Sequence, residues 1–108
     1  MFISLLIILA PILIAQDRSV LPKRGQQIRV NEIYIIGNKK TKEKVILREM
    51  SLTKGTYISR DGIEKRIKSD KINIINTNLF NTVSIDILEN PEQLSIDIFV
   101  RVDERWYF

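Results

Sequence analysis

The side chains that could carry chemistry here are carboxylates, amines and hydroxyls, because the 108 residues include no His and no Cys. That composition removes the usual ligands of zinc and haem, the Ser-His-Asp triad, a thiol nucleophile and a disulfide framework. The remaining acid pair, Asp103 and Glu104, occupies adjacent positions of a predicted strand, so the two side chains would point to opposite faces of a sheet. The sequence therefore predicts that the protein is not an enzyme and binds no metal ion or cofactor.

The glycines are also too scattered to form a phosphate-binding loop. The four of them, Gly25, Gly37, Gly55 and Gly62, match neither a Walker loop nor a dinucleotide fingerprint. We assign them simpler roles in the backbone. Gly37 with Asn38, and Gly55 further along, are residue types suited to the positive φ of tight turns, so we predict structural turns there.

The elements that position these residues begin after an uncharged N-terminal segment. Residues 1–15 contain no charged side chain, and their apolar run of about 14 residues is short of the roughly 20 needed to span a bilayer. We interpret residues 1–15 as a signal peptide, with an uncleaved membrane anchor as the alternative. Residues 16–26 are polar and contain Pro22 and Gly25, which indicates a linker.

Between residues 27 and 80 the pattern predicts one strand followed by two helices. Ile28–Ile36 is rich in β-branched residues and shifts phase once, as a strand with a bulge does. Thr41 is a suitable N-cap for a helix of about ten residues ending at Met50. Ser59 or Asp61 is a suitable cap for a second helix that runs to about Asn76. Asp70 lies within the apolar stripe of that helix, so either the stripe is imperfectly buried or this carboxylate caps a neighbouring backbone.

A period of two then predicts a hairpin. Apolar residues alternate with polar ones from Val83 to Ile87 and again from Leu94 to Val102, and Asn90–Gln93 is the turn between them. The predicted fold class is α+β: a single β-α-α-β-β domain over residues 27–105, in which two helices cover one face of a three-stranded sheet.

Five short segments follow one another along the chain: Ile33–Thr41 with its G-N-x-x-T turn, Val45–Met50, Lys54–Gly55, Asn76–Val83 with its N-x-x-L-F-N-x-V passage, and Val102–Tyr107. In this order they resemble a POTRA domain of the surface antigen type. POTRA domains of this kind precede the barrel of BamA- and TamA-like outer-membrane proteins. The resemblance implies a chain truncated before its barrel, or a single exported module. Residues 106–108 would then be an aromatic exit towards a missing barrel or second module, or would fold back on the domain.

The resemblance also implies a function and a place for it. An edge strand offers unpaired backbone groups to which an extended partner can add, and in this family the first and second strands are edges while the third is central. We therefore predict a periplasmic protein-binding module that docks extended partners by β-augmentation. Its partners would be unfolded outer-membrane proteins or a neighbouring assembly module, its location the periplasm or outer membrane, and it would bind no nucleic acid. The predicted docking residues are Thr82, Ser84, Asp86 and Leu88.

Two other functions share some of these features. Through Lys71 the chain has 15 basic and 7 acidic residues, against 2 and 6 from Ile72 onward, and such a basic half suits a KH-like nucleic-acid-binding domain with the same starting order of elements. The KH loop G-x-x-G lacks its second glycine here, because Lys40 stands in that place. A POTRA domain of an FtsQ-like division protein is the other alternative, although it requires a membrane span with a basic flank.

Overall fold

The computed structural model describes residues 26–105. The elements are, in chain order, β1 (Gln27–Ile36), α1 (Glu43–Leu47), β2 (Tyr57–Ser59), a short 3-10 turn (Arg60–Gly62), α2 (Ile63–Ile75), β3 (Phe80–Asn90) and β4 (Ser95–Glu104). The strands form one sheet in the order β2-β1-β4-β3. The α+β class with two helices agrees with the prediction, but the sheet has four strands and the predicted three is wrong.

The additional strand is β2, which consists of three residues. It pairs antiparallel with the start of β1, so that Gln27 lies opposite Ser59 and Arg29 opposite Tyr57. A segment this short has no periodicity of its own, and its pairing depends on residues about 30 positions away in the chain. The sequence pattern therefore could not reveal it.

β1 and β4 form the parallel centre of the sheet, and β3 returns antiparallel beside β4. The predicted bulge in β1 is present, since the register with β4 shifts between Val30 and Glu32. β4 alternates strictly, with Ile96, Ile98 and Val100 at 1% exposure or less. These side chains form the centre of the core beneath the helices.

The helices agree with the predicted positions and differ in their ends. α1 contains only five residues, its N-cap is Lys42 rather than the predicted Thr41, and no side chain caps it. Its last turn is tightened, because Met50 N–H bonds to the carbonyl of Leu47. α2 follows the 3-10 turn and has Gly62 as its N-cap, so the prediction of Ser59 or Asp61 as its cap is wrong. Ser59 is the N-cap of the 3-10 turn, and α2 ends at the C-cap Asn76.

Two buried carboxylates hold the chain on either side of α1. Asp70 of α2 is fully buried and accepts the N–H groups of Ser51 and Leu52 at 2.8 and 3.1 Å. The structure therefore supports the second interpretation of Asp70, in which its carboxylate caps a neighbouring backbone. Glu104 does the same for the loop before α1, where it accepts the N–H groups of Lys40 and Thr41 at 2.8 and 2.7 Å. A helix too short to be stable alone is thus fixed at both ends by charge-assisted hydrogen bonds.

Candidate protein-binding edge

β3 is the outer strand of the sheet, and no other strand within residues 26–105 pairs with its free side. Val83 is buried and Ile85 half-buried on the side of the sheet that faces the helices. The four residues chosen from the sequence alternate with these and are all exposed on the opposite face: Thr82, Ser84, Asp86 and Leu88. Asp86 lies 3.7 Å from Arg101 of β4, which is an exposed cross-strand ion pair.

Two hydrogen bonds show which backbone groups of β3 are available. The carbonyl of Leu94 accepts the N–H of Arg29 in β1 at 3.0 Å, and Arg105 donates its N–H to the carbonyl of Leu79 at 2.8 Å. Backbone directions alternate along a strand, so the even-numbered residues of β4 face β1 and the odd-numbered residues face β3. The residues of β3 that lie opposite those odd-numbered positions are Thr82, Ser84, Asp86, Leu88 and Asn90.

The free edge therefore exposes the backbone groups of the other set, Val83, Ile85, Ile87 and Glu89. The residues chosen from the sequence direct their N–H and C=O groups into the sheet, towards β4. Substitution of Ser84 by Pro would consequently break the β3–β4 ladder instead of testing the free edge. That β3 is the docking edge stays a prediction. The residues whose backbone groups would contact a partner are each one position away from the residues chosen from the sequence.

An open groove runs between this edge and α2. Its volume is about 400 Å³, and it is lined by Glu64, Ile67, Lys68 and Lys71 of α2 and by Ser84, Ile85 and Asp86 of β3. The α2 residues are spaced three or four apart, so they form one stripe along the helix. Half-buried Ile67 and Ile85 provide apolar surface in the groove, and the lysines are exposed beside them.

β1, which the resemblance predicts to be the other edge, is closed over its first half. β2 pairs with it, and beyond that pairing Val30 donates to the carbonyl of Thr56 at 2.8 Å and accepts from Gly55 N–H at 2.7 Å. Lys54 forms an ion pair of 2.7 Å with Glu32 near the second half. The prediction that β1 is a plain edge strand is therefore wrong.

The predicted turns are present after β1, at Gly37 and Asn38, and before β2, at Gly55. Gly37 has φ 96°, and a Cβ at that position would overlap the carbonyl oxygen of Val102. Asn38 donates its side-chain amide to the carbonyl of Thr41 at 2.8 Å. Gly55 has φ 86°, with no atom within 4 Å of the position that a Cβ would occupy, so backbone conformation alone favours glycine there.

The backbone N–H groups at the end of the loop at residues 37–41 are not available to bind an anion. The N–H groups of Lys40 and Thr41, which a phosphate would need, are bound to the Glu104 carboxylate. Burial raises the pKa of Glu104, but the hydrogen bonds from the backbone of Thr41 and Lys40 outweigh it and hold the pKa below its usual value. A carboxylate that stays ionised in this loop repels phosphate, which argues against the KH-like alternative.

The sheet face opposite the helices carries a small apolar patch. Tyr34 and Phe99 lie opposite each other in β1 and β4, and their rings stack with centroids 5.0 Å apart. Tyr34, Ile36 and Leu88 are 45%, 42% and 60% exposed on this face. Phe99 occupies a position of β4 between the polar residues Asp97 and Arg101 of the same face, and Tyr34 explains this position as an aromatic cross-strand pair.

Within residues 26–105 the structure contains no group of His, Asp or Glu side chains that could hold a metal ion. Over the same residues no helix is long and apolar enough to cross a membrane. The predicted signal peptide (1–15), all of the predicted linker except residue 26, and the aromatic exit (106–108) lie outside the described residues.

Comparison with known proteins identifies the family to which residues 28–105 belong. The model of the family described as POTRA, surface antigen variable number repeat, matches residues 28–105. The outer membrane protein assembly factor BamA of Nitratidesulfovibrio vulgaris (strain Hildenborough) is 26% identical over 89 residues, which are 82% of this chain and 11% of that relative. The chain thus spans about a tenth of the length of that relative.

Solved structures agree on the fold. The crystal structure of POTRA3-5 of Haemophilus influenzae BamA matches with a TM-score of 0.66 and 15% identity, over 82% of this chain and 39% of that one. BamA of Haemophilus ducreyi lacking POTRA domains 1-3 matches with a TM-score of 0.59 and 24% identity, over 72% of this chain and 14% of that one.

Proposed function

The chain belongs to the POTRA family, and from that premise we propose that residues 27–105 are a periplasmic module that binds extended polypeptide segments by β-augmentation at β3. The relatives are named as outer membrane protein assembly factors. Unfolded outer-membrane proteins or a neighbouring assembly module are therefore the partners we propose. The proposed location is the periplasmic side of the outer membrane.

The observation that supports the proposal is that the unpaired edge of β3 lies directly beside a groove with apolar surface. The outward N–H and C=O groups of Val83, Ile85 and Ile87 supply donors and acceptors for a fifth strand. The groove formed with α2 accommodates the side chains of that strand which point towards the helix. Backbone hydrogen bonds are independent of side-chain identity, which suits a module that handles clients of varied sequence.

The decisive substitution is Ile87→Pro, with Ile87→Ala as its matched control. Both variants lose the Ile87 side chain, which is 39% exposed, but only proline also removes the outward N–H. The binding partner is a strand peptide from an outer-membrane barrel, titrated into ¹⁵N-labelled protein. Circular dichroism establishes that each variant is folded.

We expect the peptide to shift the amide resonances of Val83, Ile85 and Ile87 in the unmodified protein. The Ala variant retains this binding, and the Pro variant stays folded but loses most of it. Equal binding by the two variants, or resonance shifts confined to another surface, would show that β3 is not the docking edge.

A further inference from the structure

The groove beside β3 carries two lysines that form no ion pair within residues 26–105. Lys68 and Lys71 line it, are exposed, and form neither an ion pair nor a side-chain hydrogen bond with any described residue. Adjacent lysines on one helix face repel each other, so a nearby carboxylate from a partner would stabilise the site.

The acids nearest to these lysines are engaged elsewhere or stand at one end of the groove. Asp86 also lines the groove, but its carboxylate pairs with Arg101 at 3.7 Å, and Asp70 is buried against the backbone of Ser51 and Leu52. Glu64 also lines the groove, four residues before Lys68 and seven before Lys71 along α2. The end of the groove at Lys71 therefore carries the unpaired positive charge.

The position of a fifth strand determines which of its side chains meet that charge. Residues placed directly opposite Ile85 and Ile87 share their face of the sheet, so they point towards α2. Every second residue of the added strand therefore lies in the groove, with neighbours about 7 Å apart. One such residue covers Ile67 and Ile85, and the next one along lies beside the lysines.

We propose that the free edge of β3 selects strands whose helix-facing residues combine an apolar side chain with a carboxylate. This inference rests on the proposed strand addition and names the chemistry of the strand that is accepted. The apolar residue occupies the surface formed by Ile67 and Ile85, and the carboxylate pairs with Lys68 or Lys71. Basic segments are disfavoured at the same edge, although their backbone could form the same hydrogen bonds.

The test uses three peptides that differ only in charge. Each peptide has the seven-residue sequence Thr-X-Thr-Val-Thr-X-Thr. The two X residues flank the central Val, and both are Glu in the first peptide, Gln in the second and Lys in the third. Because the design is symmetric, parallel and antiparallel addition both bring a flanking residue to the end of the groove at Lys71. Affinities are measured from amide resonance shifts at low ionic strength and again at about 1 M NaCl, where the Debye length is about 3 Å.

We expect the Glu peptide to bind about fivefold more tightly than the Lys peptide at low salt, which is the upper range for one partly exposed ion pair between a flanking carboxylate and Lys68 or Lys71. The Gln peptide should fall between them, and high salt should remove the difference. The Lys68→Glu, Lys71→Glu double variant should reverse the order. The matched control, Lys44→Glu with Lys65→Glu, makes the same charge change on exposed positions that do not line the groove and should preserve it.

The alternative outcomes separate the two proposals. Equal affinity of all three peptides at low salt would overturn the charge selection while leaving strand addition intact. A control variant that reverses the order as strongly as the groove variant would also overturn it, since the effect would then come from net charge. Absence of binding by all three peptides would overturn strand addition and charge selection together.

Discussion

β1 and β3 are strands of similar length, ten and eleven residues, but only one of them has a fully open edge. β1 is covered over its first half by β2, and the loop that follows it is fixed by Glu104. β3 has no strand on its outer side among the described residues, and an apolar groove lies beside it. We call β1 the closed edge and β3 the open edge.

A few contacts made by a three-residue strand and a loop decide which edge of this small sheet is available. Three residue pairs with β2, the Val30 hydrogen bonds and the Lys54–Glu32 ion pair lie along the outer side of β1. Short edge strands and charged side chains are common protections against unwanted strand addition. The contrast between the two edges can be altered by substitution and measured by denaturation and amide exchange.

Ile58→Ala should have the largest effect, because it removes the side chain that anchors β2. Ile58 is 3% exposed and lies opposite Ile28. We expect a loss of about 2–5 kcal/mol in the free energy of unfolding, measured by urea denaturation. Amide exchange at Val30 should accelerate as the closed edge opens. Tyr57→Ala, at a 63% exposed position of the same strand, is the control, and an equal loss there would contradict this role of Ile58.

Ile85→Ala on the open edge should cost less, although the sequence alone marks Ile85 as a core residue. It is half-buried, because one side of it lines the groove. We expect about 1–2 kcal/mol, roughly half the cost of a fully buried isoleucine, in the same urea experiment. A loss as large as that of Ile58→Ala would mean that the groove is closed in solution.

Glu104→Gln should lower the urea midpoint by a smaller amount, and the loss should depend on pH. The pKa of Glu104 is held below its usual value in the folded protein, so its ionised form is favoured by folding. Its contribution is therefore complete above the pKa of the unfolded chain and is lost as pH falls through the folded pKa. The difference in midpoint between the unmodified protein and this variant should be largest near neutral pH and shrink in acid, and a constant difference would contradict this.

Amide exchange of the unmodified protein should show the open edge directly, without any change in stability. The amides of Ile85 and Ile87 point away from the sheet and should exchange quickly, whereas those of Ser84 and Asp86 are bonded to β4 and should exchange slowly. The reverse alternation would place the other set of backbone groups at the edge, and Ser84→Pro would then be the right binding test.

Much of the fold could be predicted because its signals are local. The phase shift in β1, the helical spacing in α2 and the strict alternation of β4 are each visible within ten or so residues. The predicted α1 has the right position and is too long, since the tightened turn that ends at Met50 depends on contacts outside the helix. β2 could not be predicted, because a strand of three residues is too short to show an alternation of apolar and polar side chains.

The candidate site was predictable only in part. Alternation identified β3 and the exposed side chains of Ser84 and Asp86, but the direction of their backbone groups depends on the pairing with β4. The charge of the groove was visible only as a basic first part of the chain. Its position beside β3 follows from how α2 packs on the sheet.

Local patterns in the chain are sufficient to predict the order of the elements, the buried faces and the family, because periodicity and turn residues act over a few positions. Tertiary structure decided which strand is left open, which backbone groups it exposes and where the acids Asp70 and Glu104 bind. Those outcomes join residues 18 to 64 positions apart, and a backbone group takes whichever partner the folded chain brings to it. A local pattern describes side chains, whereas an edge is defined by the partner that a strand lacks.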